Sequence, residues 1–295
     1  MIGYVKTRAE LEALIEAESA GWLQRTDART KEFRRKQRYE EASSLWSEVK
    51  AAYMRLQGGS KCAYCERKLE AVEFGKGEQA VDHFRPKRSV KAWPGAAGLA
   101  RQGIPFAAAP PPGQGYYLLP YHPFNYVAAC NPCNSLLKKD YFPIAGIYQL
   151  DADEPAHLQN EQPYLLYPIG DFDSAPETII EFYGITPRPV APTGHDRYRA
   201  LVTIAFFRLG DAAGRKNLFL ERAWLLLALF PQLERLRQPG SMDEQTAAKS
   251  IVEACMRSEM AHANCCRSFV RLFEQSPEEA RSLYEAARRF VTSTS

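Results

Sequence analysis

The sequence predicts an α+β, mainly helical chain in which a zinc-binding segment lies between two helical regions. Two Cys-x-x-Cys pairs, at 62–65 and 130–133, supply four thiolates, the ligand set of one tetrahedral zinc site. Apolar residues recur at helical spacing in 1–60 and again in 197–295. Between the cysteine pairs, residues 80–83 are apolar enough to form a short strand that ends at a histidine.

The presence of two Cys-x-x-Cys pairs favours zinc binding over the alternative explanations of this motif. A redox motif needs only one pair in a thioredoxin-like setting, which is absent here, and chance is the remaining alternative. The loop between the pairs is longer than in the simplest zinc ribbons, and it carries Asp82 and His83. The predicted ligands of one structural zinc ion are Cys62, Cys65, Cys130 and Cys133.

Composition indicates a globular protein and excludes a membrane protein. Apolar residues make up 45% and aromatic residues 12% of the 295 residues, enough for a sizeable core. No apolar run approaches the roughly 18 residues of a transmembrane helix, so we expect no membrane partner. Three cysteines remain outside the zinc set and no signal peptide pattern opens the chain, from which we expect a cytoplasmic protein with free thiols.

Charge is segregated along the chain although the net charge is only +3. Residues 61–143 hold 11 basic and 6 acidic side chains, whereas 151–196 hold nine acidic and one basic. This pattern suggests one face for a polyanion and another kept away from it. The run 25–38 holds seven basic and two acidic side chains, and a solvated helix face explains that run equally well.

Local patterns predict the bounds of several elements. A capping box at 7–10 starts the first helix, and a longer helix is expected from near Asp27 to Gln57, ended by Gly58-Gly59. The glycine- and proline-rich 94–115 is expected to be irregular, and 116–119 to be a strand. In the C-terminal region we expect helices from near Arg197, one helix to Phe230 stopped by Pro231, and a long helix over 242–274.

The motifs between residues 62 and 143 resemble those of a known family. The Cys-x-x-Cys pair, Asp-His-Phe-Arg-Pro-Lys at 82–87, an Asn before a second Cys-x-x-Cys-Asn, then Lys and Phe-Pro are similar to the zinc-stabilised HNH endonucleases. The variant with helices on both sides is similar to HNH nucleases of prokaryotic defence systems, including Septu systems and some retrons. The resemblance covers a little over a quarter of the chain; less specific similarity extends to 162–168 and 182–184.

The resemblance implies a ββα-metal core with a site for a catalytic Mg²⁺ or Mn²⁺. By this resemblance His83 ends the first strand as general base, and Asp82 and Asn134 hold the cation. Asn125 occupies the middle position of the motif and fixes the loop that aims His83. The sequence departs from the family in two places. The spacing between Asp82 and Asn125 is longer, and residues 121–127 lack the Trp and the Asn-Leu pair that are common before the second Cys-x-x-Cys. His122 is therefore a competing candidate for the middle position.

The residue chemistry agrees with these roles. Mg²⁺ prefers oxygen ligands, which the Asp82 carboxylate and the Asn134 amide provide. A histidine with an ordinary pKa near 6.5 can accept a proton from water at neutral pH. Each basic residue in this segment could equally be an ordinary surface lysine, or an arginine paired with an acid. The candidate phosphate contacts are Arg85, Lys87, Lys138 and Lys139.

These observations predict four parts and two alternative functions. The first function is a metal-dependent HNH endonuclease acting on nucleic acid, DNA rather than RNA, as the effector of an antiviral defence system with an ATPase partner encoded beside it. The alternative is a zinc-stabilised nucleic-acid-binding or adaptor module without cleavage, which would not need Asp82, His83 and Asn134. The parts are N-terminal helices 1–60, the HNH core 61–145, an acidic irregular segment 146–196 and C-terminal helices 197–295.

Overall fold

The computed structural model describes residues 1–75 and 77–294, and about half of them are helical. Together with four short strands this makes the chain α+β, as the sequence predicts. The helices are α1 (Arg8–Glu18), α2 (Trp22–Lys36), α3 (Lys50–Leu56), α4 (Ala96–Ala100), α5 (Pro176–Ile179), α6 (Gly194–Phe206), α7 (Lys216–Arg237), α8 (Met242–Met256), α9 (Ala263–Gln275) and α10 (Pro277–Thr294).

Two antiparallel strands form a hairpin that is followed at once by a helical segment. Strand β1 (Gln79–His83) pairs with β2 (Tyr126–Cys130), with Asp82 opposite Val127. A π-helical segment, Pro132–Lys138, then begins immediately after β2. A second hairpin joins β3 (Ile180–Tyr183) to β4 (Thr186–Pro189) within the acidic stretch. Assignment of the first hairpin to a ββα-metal core stays a prediction.

The predicted continuous helix over residues 27–57 is wrong. Helix α2 ends at Lys36, residues 37–45 are irregular, and a 3₁₀ turn, Trp46–Val49, leads into α3. The cause is a set of contacts that local sequence does not encode: the Glu41 carboxylate accepts hydrogen bonds from Arg29, from the Tyr39 hydroxyl and from the Tyr121 hydroxyl. The irregular segment 37–45 is thereby held against α2 and against Tyr121, in the loop that precedes β2.

Glycines end α3 as predicted, and they also permit a close contact. Gly58 and Gly59 have φ of 67° and 64°, a region that glycine adopts at little cost. A Cβ on Gly58 would lie 2.5 Å from the Ser258 carbonyl oxygen. The predicted continuous helix over 242–274 is therefore wrong, because α8 and α9 are separated by residues 257–262, which pack here.

The segment between α8 and α9 is hydrogen-bonded to the residues on either side of the first cysteine pair. Lys61 Nζ donates to the Met260 carbonyl at 2.9 Å, and the His262 backbone N–H donates to the Glu66 carbonyl at 3.2 Å. Long-range hydrogen bonds of this kind satisfy backbone groups that a continuous helix would have paired internally. The C-terminal helices are thus anchored to the zinc-binding segment.

Helix α7 passes through Pro231, where the sequence predicted a stop. A proline inside a helix costs about 3 kcal/mol. Leu229, Phe230 and Leu233 are all buried in the core that α7 shares with α8, α9 and α10, and burying each contributes about 1.5–3 kcal/mol. Burial therefore outweighs the proline, and the helix continues to Arg237.

The loop between the strands is packed although it is irregular. Residues 116–119 form a buried turn instead of the predicted strand, because the Tyr116 hydroxyl donates to Glu161 and its ring packs on Phe142. Within the irregular 94–115, α4 is one short helix. This loop is therefore ordered by contacts with the acidic segment.

The described residues form two main cores. The larger joins the N-terminal helices to the zinc-binding segment, with Trp22 edge-on to Tyr121 and Tyr126. The second lies among α7–α10. The turn at Gly58 also contacts residues 258–259 of the C-terminal region, and the four predicted domain bounds stay predictions. No helix in the described part of the chain is long and apolar enough to cross a membrane.

The acidic stretch pairs with arginines instead of forming a separate negative face. Its carboxylates reach basic residues of the N-terminal, central and C-terminal regions, and these pairs are Glu154–Arg8, Asp153–Arg34, Glu161–Arg85, Asp173–Arg199, Glu181–Arg188 and Glu177–Arg267. The seven basic residues of 25–38 also each have a carboxylate partner. These mostly exposed pairs are what the alternative of a solvated helix face predicts.

Candidate metal and catalytic centre

The two cysteine pairs meet in one buried cluster. In the described part of the chain, these four are the one group of three or more His, Cys, Asp or Glu side chains whose ligand atoms converge, and their Sγ atoms lie within 4.8 Å of one another. Zinc–sulfur bonds of about 2.3 Å place tetrahedral sulfurs about 3.8 Å apart. Cys65 Sγ and Cys130 Sγ are 3.8 Å apart. The cluster, Cys62, Cys65, Cys130 and Cys133, could therefore hold a structural zinc ion.

An arginine from the C-terminal region faces the cluster. Arg215 Nη1 and Nη2 lie 3.9 and 3.7 Å from Cys133 Sγ, and Nη1 also donates to the Phe207 carbonyl at 2.9 Å. Burial lowers the Arg215 pKa, but the thiolate charge of Cys133 and Cys65 outweighs it and the pKa is raised. A guanidinium at this place offsets part of the negative charge of four thiolates.

Burial opposes ionisation of the first cysteine. It raises the pKa of Cys62 well above its ordinary value, whereas hydrogen bonds from the neighbouring thiols hold the pKa of Cys65 well below. Metal binding needs all four sulfurs deprotonated, so a cation must supply the stabilisation that the protein alone does not. The donor set therefore fits zinc chemically as well as geometrically.

A cleft of about 720 Å³ opens beside the first hairpin. Asp82 and His83 reach it from the end of β1, and Asn134 reaches it from the π-helical segment. Two predicted basic residues, Lys87 and Lys139, also line the cleft. The structure thus brings five of the predicted site residues to one cavity, and does not place Asn125, Arg85 or Lys138 in its lining.

The two ring nitrogens of His83 have different partners. Nε2 lies 3.1 Å from the Pro120 carbonyl oxygen, which can only accept, so Nε2 carries the proton. Nδ1 is then the acceptor, and Lys87 Nζ lies 3.3 Å from it. The ring is 7% exposed and stands edge-on to Trp46 at 4.8 Å between centroids.

Burial and a neighbouring cation keep His83 neutral. Desolvation lowers the His83 pKa well below its ordinary value, and the charge of Lys87 lowers it further. Burial also lowers the Lys87 pKa, to about 8. A neutral imidazole with an unprotonated Nδ1 is the form that a general base requires.

Asp82 and Asn134 supply oxygen atoms to the same cleft. The Asp82 carboxylate is buried, which raises its pKa, while Lys138 and the Tyr64 hydroxyl favour the charged form. The Tyr64 hydroxyl donates to Asp82 Oδ2. Mg²⁺ in enzymes commonly binds one or two carboxylates and completes its shell with water and substrate phosphate. One carboxylate and one amide beside an open cleft fit a cation of this kind.

Asn125 fastens the loop that follows His83. Its Oδ1 accepts from the Arg85 backbone N–H at 2.8 Å, and its Nδ2 donates to the Arg85 carbonyl at 3.1 Å and to the Leu119 carbonyl at 2.9 Å. The competing candidate His122 points elsewhere, with Nε2 3.3 Å from Glu154. The geometry favours Asn125 for the middle position of the motif.

Two of the four candidate phosphate contacts are corrected. Arg85 is 3% exposed, and its Nε donates to Glu161 Oε2 at 3.0 Å while its guanidinium lies over the Phe142 ring. Lys138 is fully buried, with Nζ 3.4 Å from the His83 carbonyl. Both side chains are buried and neither lines the cleft, whereas Lys139 is exposed there.

The cleft also contains residues that the sequence did not single out. Trp46 and Tyr39 enter from the segment that was predicted to be helical, and Lys87 Nζ lies 4.2 Å above the Trp46 ring centroid. Asp140 also lines the cleft, paired with Lys91 at 2.9 Å. No local pattern marks these residues, because the contacts join parts of the chain about forty residues apart.

Comparison with known proteins gives one partial similarity. The chain is similar to the Septu protein PtuB of Bacillus mycoides (strain KBAB4), with 31% identity over 111 residues. That segment is 38% of this chain and 32% of the Septu protein, so most of both chains lies outside the match. No family model matches the chain, and no solved structure matches it.

Proposed function

We propose that this chain is a metal-dependent HNH endonuclease that hydrolyses phosphodiester bonds, with DNA as the preferred substrate. The observation that carries the proposal is the meeting of Asp82, His83 and Asn134 in one cleft, from the end of β1 and from a helical segment about fifty residues later in the sequence. Lys87 and Lys139 add positive charge to that cleft. A protein that only bound nucleic acid would not need this combination of base and cation ligands.

The proposed mechanism assigns proton transfer to His83. Its Nδ1 accepts a proton from the attacking water, and the hydrogen bond from Nε2–H to Pro120 holds the ring in the required tautomer. The water oxygen forms a bond to phosphorus as the bond to the leaving ester oxygen breaks. A bound Mg²⁺ or Mn²⁺ would neutralise the phosphate and stabilise the leaving oxygen. Asp82 and Asn134 would hold that cation.

Lys87 has two roles in this scheme. Without substrate, its ammonium lies against His83 Nδ1, the atom that must accept the proton. A phosphate in the cleft offers Lys87 a charged acceptor, and a charge-assisted hydrogen bond is about twice as strong as a neutral one. Substrate binding therefore draws Lys87 to the phosphate and leaves Nδ1 open to water.

We further propose a role in anti-phage defence together with an ATPase. The support is the partial similarity to a Septu protein and the resemblance of residues 62–143 to defence-associated HNH nucleases. The C-terminal helices have no proposed part in the chemistry, yet they expose Trp224 and Ile251. We place the partner contact on these helices, and the N-terminal helices can extend it.

The alternative of a binding module without cleavage has one observation in its favour. Both ring nitrogens of His83 are engaged, by Pro120 and by Lys87, so the base is masked in the absence of substrate. This alternative predicts tight nucleic-acid binding with no product under any conditions.

A cleavage assay distinguishes the two functions. Zinc-loaded protein is incubated with duplex DNA, single-stranded DNA and RNA, with Mg²⁺, with Mn²⁺ or with excess chelator, and with or without the ATPase encoded beside it. We expect cation-dependent cleavage, strongest on DNA, that Asp82→Ala and Asn134→Ala weaken and that excess Mn²⁺ partly restores. Binding without cleavage in every combination would instead establish the alternative.

A further inference from the structure

We propose that Tyr64 is a positioning residue that connects the zinc cluster to the catalytic centre. Its hydroxyl holds one oxygen of the Asp82 carboxylate, so that the other oxygen is presented to the divalent cation. This inference rests on the proposed function, because it concerns the cation that Asp82 would bind. It adds that zinc binding sets the geometry of the chemistry and does more than stabilise the fold.

Tyr64 lies inside the first cysteine pair, between Cys62 and Cys65. It is fully buried, and its hydroxyl donates to Asp82 Oδ2. The backbone just before it is fixed, because the Ala63 N–H donates to the Ala128 carbonyl on β2 at 3.0 Å. A change at the cysteines therefore moves the hydroxyl that Asp82 depends on.

The ring of Tyr64 has little freedom to move. It stacks on Phe207 with centroids 4.0 Å apart and an interplanar angle of 16°. Phe207 follows α6 directly, and its carbonyl also accepts from Arg215, the arginine that faces Cys133. The stack on Phe207, which Arg215 holds by its carbonyl, and the turn between Cys62 and Cys65 restrict movement of the Tyr64 hydroxyl.

The consequence for Asp82 follows from its surroundings. Asp82 sits near the end of β1 with a buried carboxylate, and a free carboxylate could rotate both oxygens away from the cleft. Residues that hydrogen-bond to a metal ligand typically change metal affinity by about 10–100-fold when they are removed. Loss of the Tyr64 hydroxyl should therefore weaken cation binding while the zinc cluster stays intact.

The test compares Tyr64→Phe with a matched tyrosine. Tyr53→Phe is the control, because Tyr53 is also fully buried and its hydroxyl donates to the Pro123 carbonyl at 2.6 Å, away from the cleft. Mn²⁺ binding is measured by electron paramagnetic resonance on zinc-loaded protein, with Asp82→Ala as the reference for loss of the site. We expect a 10–100-fold rise in the Mn²⁺ Kd for Tyr64→Phe, none for Tyr53→Phe, and one zinc per chain in both.

The outcomes separate this inference from the proposed function. Wild-type protein that binds Mn²⁺ through Asp82 but never cleaves would sink the nuclease proposal, and the Tyr64→Phe Kd would still decide the inference. An unchanged Kd in Tyr64→Phe, or no Asp82-dependent Mn²⁺ binding in wild type, overturns it. If Tyr64→Phe loses zinc, Phe207→Leu decides instead: it loosens the ring and keeps the hydroxyl, so weaker Mn²⁺ binding supports the inference and unchanged binding contradicts it.

Discussion

The Pro120 carbonyl holds the His83 proton on Nε2, which leaves Nδ1 for catalysis, and Lys87 hydrogen-bonds to that second nitrogen. Burial lowers the Lys87 pKa to about 8, although Nζ lies against the acceptor Nδ1 and over the Trp46 ring. The sequence motif predicted that His83 and Lys87 both belong to the site. It could not predict that Trp46 completes the site, because that contact depends on the break after α2.

Lys87→Met should weaken nucleic-acid binding and make it less dependent on salt. Removing one phosphate contact lowers the slope of log affinity against log salt by about 1. Lys249→Met is the matched control, since Lys249 is an exposed lysine on α8 whose partner is Glu253. Binding measured by fluorescence anisotropy at several salt concentrations tests this, and equal slopes for both variants would show that Lys87 does not contact phosphate.

Arg85→Met should destabilise the fold instead of acting on substrate binding. Removing one partner of a buried ion pair leaves Glu161 charged and uncompensated, which typically costs about 3–5 kcal/mol. Arg34→Met, which breaks the exposed pair with Asp153, should cost no more than about 1 kcal/mol. Urea unfolding measures both. Equal stability of the two variants would contradict the role assigned to Arg85.

At the scale of elements, the first hairpin and the two cysteine pairs form one unit. Cys130 ends β2 and Cys133 lies in the π-helical segment that also carries Asn134. Local chemistry predicted the capping box at Thr7 and the glycine end of α3, since these features need only neighbouring residues. It failed at residues 37–45, at Pro231 and at 257–262, where contacts from distant elements outweigh local preference.

Removing zinc should unfold this unit. Structural zinc sites contribute about 10–16 kcal/mol of apparent binding energy in small peptides, and the cluster joins residues 62–65, ahead of β1, to the end of β2. Cys130→Ser should lower zinc content and expose the hairpin to protease, whereas Cys255→Ser, outside the cluster, should change neither. Elemental analysis measures zinc directly, and purified protein without zinc would refute the assignment.

At the scale of the whole molecule, the second core is separate from the proposed chemistry. Helices α7–α10 pack on one another and reach the zinc-binding segment through Arg215, Met260 and His262. Sequence pattern predicted helices in this region, although it placed a stop at Pro231 and missed the break at 257–262. It gave no information on the surface they present, since exposed residues such as Trp224, 57% exposed, follow no packing requirement.

The partner proposal belongs to this scale. The ATPase encoded beside this chain should co-purify with it through an interface of at least about 1,000 Å². Trp224→Ser should weaken that association and leave the cleavage rate of the isolated chain unchanged, because Trp224 lies outside the cleft. Cleavage should change when the partner binds nucleotide. A chain that purifies alone and cuts at full rate whatever its neighbours do would contradict this model.

The most direct test of the nuclease assignment compares wild type with His83→Ala in single-turnover cleavage, with binding measured on the same DNA. Removal of a positioned base should lower the rate by about 10²–10⁴-fold, while affinity and zinc content stay at the wild-type level. If wild type cleaves in a cation-dependent way and His83→Ala cleaves at the same rate, then His83 is not the general base and the mechanism is wrong.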